Sequence, residues 1–591
     1  MNVSERIAKL KDLMKSRNID AFIVPSYDAH QSEYVADHWK CREWITGFTG
    51  SAGTAVITLD ECGLWTDGRY FIQAENELKG SGVKLFKMRE PGVPTFYEWI
   101  ADVLPKNSNV GIDAKIFPLA VVNTMKDKFK AKNINIKDGD LIDQIWNDRP
   151  SMPMSVAYDH DVKYCGKSRI EKISELREKM KTIGANYNII SSLDDIAWLF
   201  NIRGNDIHCN PYVISYALIS LNEAFLFIDN KKVDSDIKSK LKADEIVIKG
   251  YEEVADYIKS LPEDATICFD PNKTSYWLYS AIHKNVKKIK GINFTTKMKA
   301  IKNSVEIENL KKCQVNDGAQ MVRFMKWLKQ NVGKEKMTEI SVDQKLESFR
   351  AQIDTFVTTS FDTIAAYQEN GAMMHYKASE DKNSELKAEG FLLVDSGGQY
   401  YDGTTDITRT FALGALTDEQ KRDFTYTLKG HINLAQAKFL YGCTGANLDI
   451  LARRPLWEQG IDYKCGTGHG VGFFLGVHEG PQNISPRMIN VPIEAGMVTT
   501  NEPGVYKEGK YGIRIENTLL AVKDMENEYG TFMKFETISL CPIDLDAVEV
   551  SLLSDSEKNW LNEYHKTVYD KLSPILNEEE KQWLKIATRA I

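Results

Sequence analysis

Four acidic residues and one histidine in the C-terminal half of the sequence have the types and contexts expected of a metal site. They are Asp395, Asp406, His469, Glu502 and Glu516. A buried carboxylate costs free energy unless it is paired, hydrogen-bonded or bound to a metal. Two dications would offset four negative charges, whereas one would leave the group anionic. A bridged pair of ions can activate water as a nucleophile and polarise a carbonyl group, which is the chemistry of metal-assisted hydrolysis.

The ligand types also narrow the choice of metal. Oxygen ligands with a single imidazole and no thiolate favour Mn²⁺, Fe²⁺ or Co²⁺ over a structural zinc site. Taken singly, the same residues have simpler interpretations, because an aspartate beside a glycine commonly caps a turn and a lone histidine commonly lies in a loop. The presence of all five favours two divalent metal ions over those interpretations.

The aspartates need elements that hold them together, and the local pattern predicts a β-hairpin. An apolar run ends at Asp395, a Tyr-Tyr-Asp-Gly turn follows, and an alternating Thr-Ile-Thr strand carries Asp406. Neighbouring strands would therefore place the two carboxylates side by side.

The other three candidates also have suitable local sequences. Glycines at every second position around His469 let the backbone approach an ion closely. Pro503 favours an extended backbone for Glu502, as expected at the end of a strand. Strand alternation predicts that Arg514 and Glu516 share one face, so that Arg514 can hydrogen-bond a ligand carboxylate.

Two further histidines could take part in the same chemistry. His375 lies in Gly-Ala-Met-Met-His-Tyr and His478 lies in Val-His-Glu-Gly-Pro. A neutral imidazole near an activated water can hydrogen-bond a substrate carbonyl or move a proton at neutral pH. The alternative for each is a structural histidine with a satisfied partner.

The N-terminal half predicts two related α/β domains. When Arg6 is aligned with Arg169, apolar positions at helical spacing match in the two segments, and an apolar strand follows each helix. At 591 residues the chain exceeds the size of one hydrophobic core. Prolines and turn formers predict a linker before residue 155, and Asn303 with Glu306 predicts the start of a helix. The expected domains are residues 1–155, 156–300 and 301–525, with a C-terminal extension at 526–591 packed on the last of them.

Composition and charge argue against several classes of partner. A net charge of -8 and a pI near 5.8 argue against nucleic acid. Charged residues near the N-terminus argue against a signal peptide, and no segment is apolar enough to span a membrane. The nine cysteines are scattered singly, which argues against a disulfide framework or a zinc ribbon. We therefore expect a cytoplasmic protein.

With these residues identified, the sequence resembles a known family. The motifs Leu-Val-Asp-Ser-Gly, Thr-Thr-Asp-Ile-Thr-Arg-Thr, Gly-Thr-Gly-His-Gly-Val-Gly, Asn-Glu-Pro-Gly and Gly-Ile-Arg-Ile-Glu-Asn have the order and spacing of the pita-bread metallopeptidases. Within them, the chain is most similar to the long, three-domain form of Xaa-Pro aminopeptidase. Residues 28–34, 47–55 and 65–71 are also typical of that form, so the resemblance covers nearly the whole chain.

This resemblance implies an α/β fold in which two creatinase-like domains precede a pita-bread catalytic domain. It also implies removal of the N-terminal residue from peptides with proline in the second position, through attack on the Xaa-Pro carbonyl by a hydroxide that bridges two metal ions, usually Mn²⁺. The five residues above would be the metal ligands. Asp406 and Glu516 would bridge the ions, and Glu502 would also act on the nucleophilic water.

The resemblance further implies a substrate-binding set and a homodimer. His375 and His478 would bind the substrate and help to move the proton, and Arg42 would reach the substrate from the first domain. A surface arginine is the alternative for Arg42. The full set expected to bind substrate is Arg42, His375, His469, His478, Glu502, Tyr506 and Arg514.

Three other functions share this fold. Prolidase has the same metal ligands but requires the free C-terminal carboxylate of a dipeptide, so it is the nearest alternative. Creatinase-like enzymes work without metals, and non-catalytic pita-bread binding proteins lack intact ligands. The complete ligand set disfavours both of these. Binding proteins of this fold include histone chaperones, for which a long acidic tail is expected, whereas the C-terminal segment here is mixed in charge.

Overall fold

The computed structural model describes residues 1–591 and divides into two compact units. The first unit comprises Met1–His160 and Lys167–Thr295, and the second comprises Asp161–Gly166 and Thr296–Ile591. Every helix is too short or too polar to cross a lipid bilayer.

Eighteen α-helices occur along the chain. In chain order they are α1 Val3–Ser16, α2 Cys41–Thr46, α3 Phe71–Glu77, α4 Phe96–Val103, α5 Leu119–Phe129, α6 Val162–Cys165, α7 Arg169–Thr182, α8 Leu193–Leu199, α9 Ser235–Ala243, α10 Val254–Lys259, α11 Tyr276–Ala281, α12 Phe294–Ala300, α13 Ser304–Asn331, α14 Glu339–Arg350, α15 Asp418–Ala435, α16 Gly445–Trp457, α17 Asp555–Leu572 and α18 Glu578–Ala587.

Twenty-eight strands alternate with these helices. In chain order they are β1 Ala21–Pro25, β2 Thr54–Thr58, β3 Cys62–Thr66, β4 Lys84–Lys87, β5 Asn109–Ile112, β6 Asn135–Asp138, β7 Tyr158–Asp159, β8 Tyr187–Ile190, β9 Ile202–Arg203, β10 Ser215–Ser220, β11 Ala224–Ile228, β12 Ile246–Lys249, β13 Thr266–Phe269, β14 Lys287–Lys290, β15 Phe356–Thr359, β16 Ile364–Tyr367, β17 Phe391–Ser396, β18 Gly398–Tyr400, β19 Gly403–Thr404, β20 Ile407–Ala412, β21 Lys438–Leu440, β22 Gly468–Gly470, β23 Glu479–Ile484, β24 Val498–Asn501, β25 Gly504–Lys507, β26 Tyr511–Arg514, β27 Asn517–Asn527 and β28 Gly530–Thr537.

The first unit contains two six-stranded sheets with the same topology. Their strand orders are β4-β3-β2-β1-β5-β6 and β12-β11-β10-β8-β13-β14. Strand β1 pairs antiparallel with β2 and parallel with β5, just as β8 pairs antiparallel with β10 and parallel with β13. The prediction of two related α/β domains is therefore confirmed.

The helices that open these two domains also correspond, but in a different register from the sequence alignment. Asn2 caps α1 and Ser168 caps α7, each through a capping box. The buried apolar positions that match are Ile7, Leu10 and Met14 in α1 with Ile173, Leu176 and Met180 in α7. The alignment of Arg6 with Arg169 is thus wrong by three residues. Three residues are close to one helical turn, so the apolar pattern fits in either register.

The second unit consists of helices packed against several antiparallel sheets. The three-stranded sheet β16-β17-β20 and the six-stranded sheet β21-β28-β27-β24-β22-β23 hold or adjoin all five predicted ligands. Helix α13 starts at the predicted capping box of Asn303 and Glu306. Side chains of α13, α15 and α17, among them Val322, Leu428 and Val568, share one core cluster. Helix α17, in the C-terminal segment, thereby contributes to the same core as the strands that position the site.

Candidate metal centre and active site

The two aspartates lie on the predicted hairpin. Strand β17 pairs antiparallel with β20, with Asp395 opposite Thr408, and Asp406 directly precedes β20. Strands β18 and β19 pair across the intervening turn. Asp395 is 8% exposed and Asp406 is 3% exposed. The hairpin thus removes both carboxylates from water, and the Oδ1 atom of Asp395 has no hydrogen-bond partner.

His469 lies in the short strand β22, where neighbouring backbone leaves no room for other side chains. A Cβ atom at Gly468 would collide with the Thr500 carbonyl, and one at Gly470 would collide with the Glu479 carbonyl. The Nδ1 atom of His469 lies 2.9 Å from the Gly470 carbonyl oxygen. When Nδ1 donates to that carbonyl, Nε2 is left with a lone pair, as in a histidine that ligates a metal.

The Nε2 atom of His469 faces acids from two directions. It lies 3.4 Å from Oδ2 of Asp406 and 3.4 Å from Oε1 of Glu502. The hydroxyl of Thr500 donates to Glu502 Oε1 at 2.9 Å and accepts from the His469 amide at 3.0 Å. Thr500 therefore fixes the relative position of these two predicted ligands.

Glu516 occupies a connection between strands, which differs from the alternation predicted for it. Strand β26 ends at Arg514 and β27 begins at Asn517. Glu516 is 1% exposed, and its Oε2 accepts a 2.6 Å hydrogen bond from the Thr408 hydroxyl. The connection still directs the Glu516 carboxylate toward Asp406, because both belong to backbone that meets at Thr408.

The candidate ligands form a compact group of like charges. Ligand atoms of Asp406, His469 and Glu516 all lie within 4.8 Å of one another. Burial raises the pKa of Glu516 well above its usual range, and the charges of Asp406 and Glu502 raise it further. Burial likewise raises the pKa of Asp395, which the Arg514 guanidinium counteracts.

The same acids also raise the pKa of His469, but for an imidazole this favours the charged form. Burial favours the neutral imidazole of His469, but the Asp406 and Glu502 carboxylates raise its pKa to about 9. In the absence of metal, a proton on the ring thus balances part of the negative charge. Metal ions would take over that role. The donor set, the crowding of like charges and the unpartnered Asp395 oxygen together fit a pair of divalent cations.

Arg514 joins one ligand to two neighbouring segments. Its Nη2 donates to Asp395 Oδ2 at 2.6 Å, and its Nη1 donates to the Tyr506 hydroxyl at 2.7 Å. Nη2 also lies 3.4 Å from the Met374 carbonyl oxygen. Arg514 therefore orients Asp395, as the sequence suggested, and links the loop before His375 to the site.

The two additional histidines lie beside this centre. The His478 ring meets the His469 ring edge-on, with centroids 4.1 Å apart. His375 directly follows Met374, whose carbonyl faces Arg514. Both histidines are half-buried. The structure thus brings His478 and Arg514 against candidate ligands, with Tyr506 bonded to Arg514, and places His375 next to a residue that contacts Arg514. Their substrate roles stay predictions.

Arg42 lies in the first unit and is buried there. Its guanidinium donates to the Ser26 hydroxyl at 2.9 Å and to the carbonyls of Phe48 and Gly50. Arg42 is 4% exposed, so it is not the surface arginine considered as the alternative. Its contact with substrate stays a prediction.

Sequence reasoning did not identify the residues behind the ligands. Arg409 is fully buried and donates to the Glu516 carbonyl at 2.5 Å and to the Tyr564 hydroxyl at 2.9 Å. The His431 ring lies between Asn501 and Asn517, the neighbours of Glu502 and Glu516, at 3.1 and 3.0 Å. The only local signal is an arginine in the interior of a buried strand, which needs many acceptors.

Comparisons with known proteins bear on this centre directly. Residues 6–145 and 148–306 match the Creatinase/Prolidase N-terminal domain, residues 308–523 match Metallopeptidase family M24, and residues 531–591 match the C-terminal region of peptidase_M24. A probable Xaa-Pro aminopeptidase P from Laccaria bicolor is 41% identical, over 99% of this chain and 93% of that protein. The chain belongs to the Xaa-Pro aminopeptidase P family of metallopeptidases.

Two other similar proteins support this family assignment. Aminopeptidase P2 from Arabidopsis thaliana is 41% identical over 100% of this chain and 89% of its own length. The crystal structure of an X-prolyl aminopeptidase from Caenorhabditis elegans, described as a cytosolic enzyme with a di-nuclear active site, superposes with a TM-score of 0.97 at 35% identity and covers 100% of both chains. The expected fold, two creatinase-like domains before a metallopeptidase domain, is confirmed for this aminopeptidase P family member.

Proposed function

We propose that this protein hydrolyses the bond between an N-terminal residue and a following proline in short peptides. The observation that carries the proposal is the convergence of Asp406, Glu516 and the His469 imidazole, with the half-buried Glu502 3.4 Å from that imidazole and the His478 ring edge-on against it. Membership of the aminopeptidase P family supports the substrate class.

The proposed cofactor is a pair of divalent ions, most commonly Mn²⁺ by family resemblance. Asp395, Asp406, His469, Glu502 and Glu516 would hold them. When bound, such ions supply an activated water and polarise the scissile carbonyl. The di-nuclear site described for the Caenorhabditis elegans relative supports the number of ions.

The residues of the chain have distinct proposed roles in this reaction. Glu502 accepts a proton as water adds to the carbonyl carbon of the first residue. The C–N bond to proline then breaks, and the proline nitrogen takes a proton to leave as the new N-terminus. His375 and His478 hydrogen-bond the substrate and carry that proton, since imidazoles exchange protons near neutral pH. Arg514 and Tyr506 hold Asp395 and the adjoining wall of the site.

A dedicated site for this bond is chemically reasonable. An Xaa-Pro bond is a tertiary amide, and the residue before proline is restricted in conformation. Many peptidases could recognise an extended substrate through the backbone N–H after the cleaved bond. Proline has no such N–H, so a site of that kind would lose this hydrogen bond. A site built around the carbonyl and the free N-terminus avoids that requirement.

Prolidase activity is the alternative that needs an experiment. Purified protein should be assayed with an Xaa-Pro dipeptide and an Xaa-Pro-Yaa tripeptide, with added Mn²⁺ and after chelation. We expect cleavage of the tripeptide, loss of cleavage on chelation and recovery with metal. Cleavage confined to the dipeptide would replace the proposal with prolidase, and no metal-dependent cleavage of either peptide would refute both.

Location and assembly are further proposals. The description of the Caenorhabditis elegans relative as cytosolic supports a cytoplasmic location. Family resemblance supports a homodimer, which sedimentation equilibrium would test. We propose no nucleic-acid or membrane partner, in keeping with the net charge of -8.

A further inference from the structure

A buried carboxylate lies outside the metal centre and contacts the segment that carries His375. Glu339 is the first residue of α14 and is 0% exposed. Its Oε1 accepts from the Tyr367 amide at 2.8 Å and from Asn370 Nδ2 at 2.9 Å. Its Oε2 accepts from the Tyr376 hydroxyl and the Ser384 amide, both at 2.8 Å. All four donors are uncharged.

Three of these donors belong to one short segment, residues 367–376, which we call the His375 loop. It begins at the last residue of strand β16 and continues through a 3-10 turn at Gln368–Ala372. Asn370 and Tyr376 lie on either side of His375 in sequence, and both bind the same carboxylate. A single buried group thus fixes the segment at both ends, which removes much of the conformational freedom between them.

The His375 loop also contacts the strand that carries Arg514. The backbone of Gly371 lies against that of Gly512, so close that a Cβ atom at Gly371 would come within 2.8 Å of the Gly512 nitrogen. Arg514 Nη2 lies 3.4 Å from the Met374 carbonyl and 2.6 Å from Asp395 Oδ2. The His375 loop is therefore held between Glu339 and the residues that position a metal ligand.

We propose that Glu339 is a positioning residue that sets the place of His375 relative to the substrate. The proposal rests on the proposed function, in which His375 binds the substrate and moves a proton. Hydrogen bonds to a charged acceptor are stronger than neutral ones, and a buried carboxylate with four of them resists displacement. Misplacement of a catalytic group by about 1 Å can cost roughly 100-fold in rate.

The decisive variant is Glu339→Gln, which keeps the shape but has only one acceptor oxygen. Its amide nitrogen would face one of two donor pairs, the Tyr367 amide with Asn370 or the Tyr376 hydroxyl with the Ser384 amide, so that pair would lose its acceptor on residue 339. With metal content unchanged, we expect kcat on an Xaa-Pro-Yaa peptide to fall about 10- to 100-fold. Tyr376→Phe should give a smaller loss of the same kind. Tyr367→Phe is the matched control, because it removes a hydroxyl that contacts the Glu389 carbonyl at 3.2 Å and keeps the backbone amide that binds Glu339.

A double-mutant cycle separates positioning from general destabilisation. In a His375→Ala background, Glu339→Gln should reduce kcat little further, because the group it positions is already absent. A loss of the same size in both backgrounds would show that Glu339 acts on the fold as a whole, and would overturn the proposal.

Hydrogen exchange of the substrate-free protein gives a readout independent of catalysis. In Glu339→Gln, faster exchange should be confined to the His375 loop and the start of α14, with the hairpin around Asp395 unchanged. Unchanged exchange and unchanged kcat in this variant would overturn the proposal. If wild-type protein cleaves no Xaa-Pro peptide, the proposed function fails while the exchange result still decides whether Glu339 fixes the loop.

Discussion

The second unit buries carboxylates in two different ways. At the metal centre, Asp395, Asp406, Glu502 and Glu516 crowd around one imidazole and one guanidinium, and an oxygen of Asp395 has no partner. At Glu339, one carboxylate accepts four hydrogen bonds from neutral donors. Burial alone therefore does not mark a reactive acid. Several acids held together, one of them with an oxygen that has no hydrogen-bond donor, mark such a site because a cation can offset their charge and satisfy the free oxygen.

The largest effect should come from removing an acid at the crowded site. In Asp406→Ala, the metal centre loses the carboxylate that lies within 4.8 Å of ligand atoms of both His469 and Glu516. We expect bound metal to fall below one ion per chain and turnover to drop by roughly 10⁴-fold or more. Metal analysis of the purified variant and a peptide assay would measure this. Full metal content in Asp406→Ala would show that the acids are not ligands.

The next largest effect concerns a residue beside the acids but outside the ligand set. His478→Ala should retain both ions and lose activity by about 100-fold or more, because general acid–base groups contribute on that scale. Metal analysis distinguishes the two variants. If His478→Ala loses its metal, His478 is a ligand and the assigned roles are wrong.

In metal-free protein, replacing a buried glutamate by glutamine should change the free energy of unfolding in opposite directions at the two sites. Glu516→Gln removes a carboxyl group whose ionised form is disfavoured by burial and by the neighbouring acids, so we expect the free energy of unfolding to rise by about 1 kcal/mol. Glu339→Gln leaves buried donors unpaired, so we expect it to fall by about 2 kcal/mol. Denaturant titration with a chelator present would measure both. Destabilisation of similar size in both variants would remove the distinction between the two sites.

Added metal should stabilise the two variants to different extents and favour Glu339→Gln over Glu516→Gln. Ion binding stabilises only the folded state, so Mn²⁺ should raise the melting temperature of wild-type protein and of Glu339→Gln. Glu516→Gln should show a smaller rise, because one proposed ligand has lost its charge. An equal rise in all three proteins would argue against Glu516 as a ligand.

The smallest effect extends the comparison to buried histidines. Burial and the nearby Arg409 charge lower the pKa of His565 to about 3, whereas acids raise that of His469 to about 9. His565 is 0% exposed, and its Nε2 accepts from the Ile543 amide at 3.0 Å. Its neutral form is required in the folded state.

The sign of the pH dependence follows from that requirement. The unfolded chain binds a proton at His565 below its ordinary pKa of about 6.5 and the folded chain does not, so stability falls as pH drops from there toward 3. At pH 5 the loss is about 2 kcal/mol. In His565→Gln, which keeps an acceptor for Ile543, unfolding should depend less on pH in this range. His283→Gln, at a partly exposed histidine, is the control variant.

The sequence was sufficient for features that depend on neighbours along the chain. The hairpin of Asp395 and Asp406, the glycines around His469 and the capping box at Asn303 follow from turn chemistry, steric access and hydrogen bonding within a few residues. The repeat of the α/β domains was also visible, but its register was not, because a shift of three residues preserves helical spacing.

The sequence by itself determined the family and the candidate ligands, since residue type and local spacing specify which groups can bind a metal. Only the tertiary structure decided which residues hold those groups in place. Glu339, Arg409 and His431 reach partners far away in the chain, at separations of 28 to 45 residues for Glu339 and 155 for the Arg409 contact with Tyr564. No local pattern encodes such contacts, because each depends on how independently formed elements pack against one another.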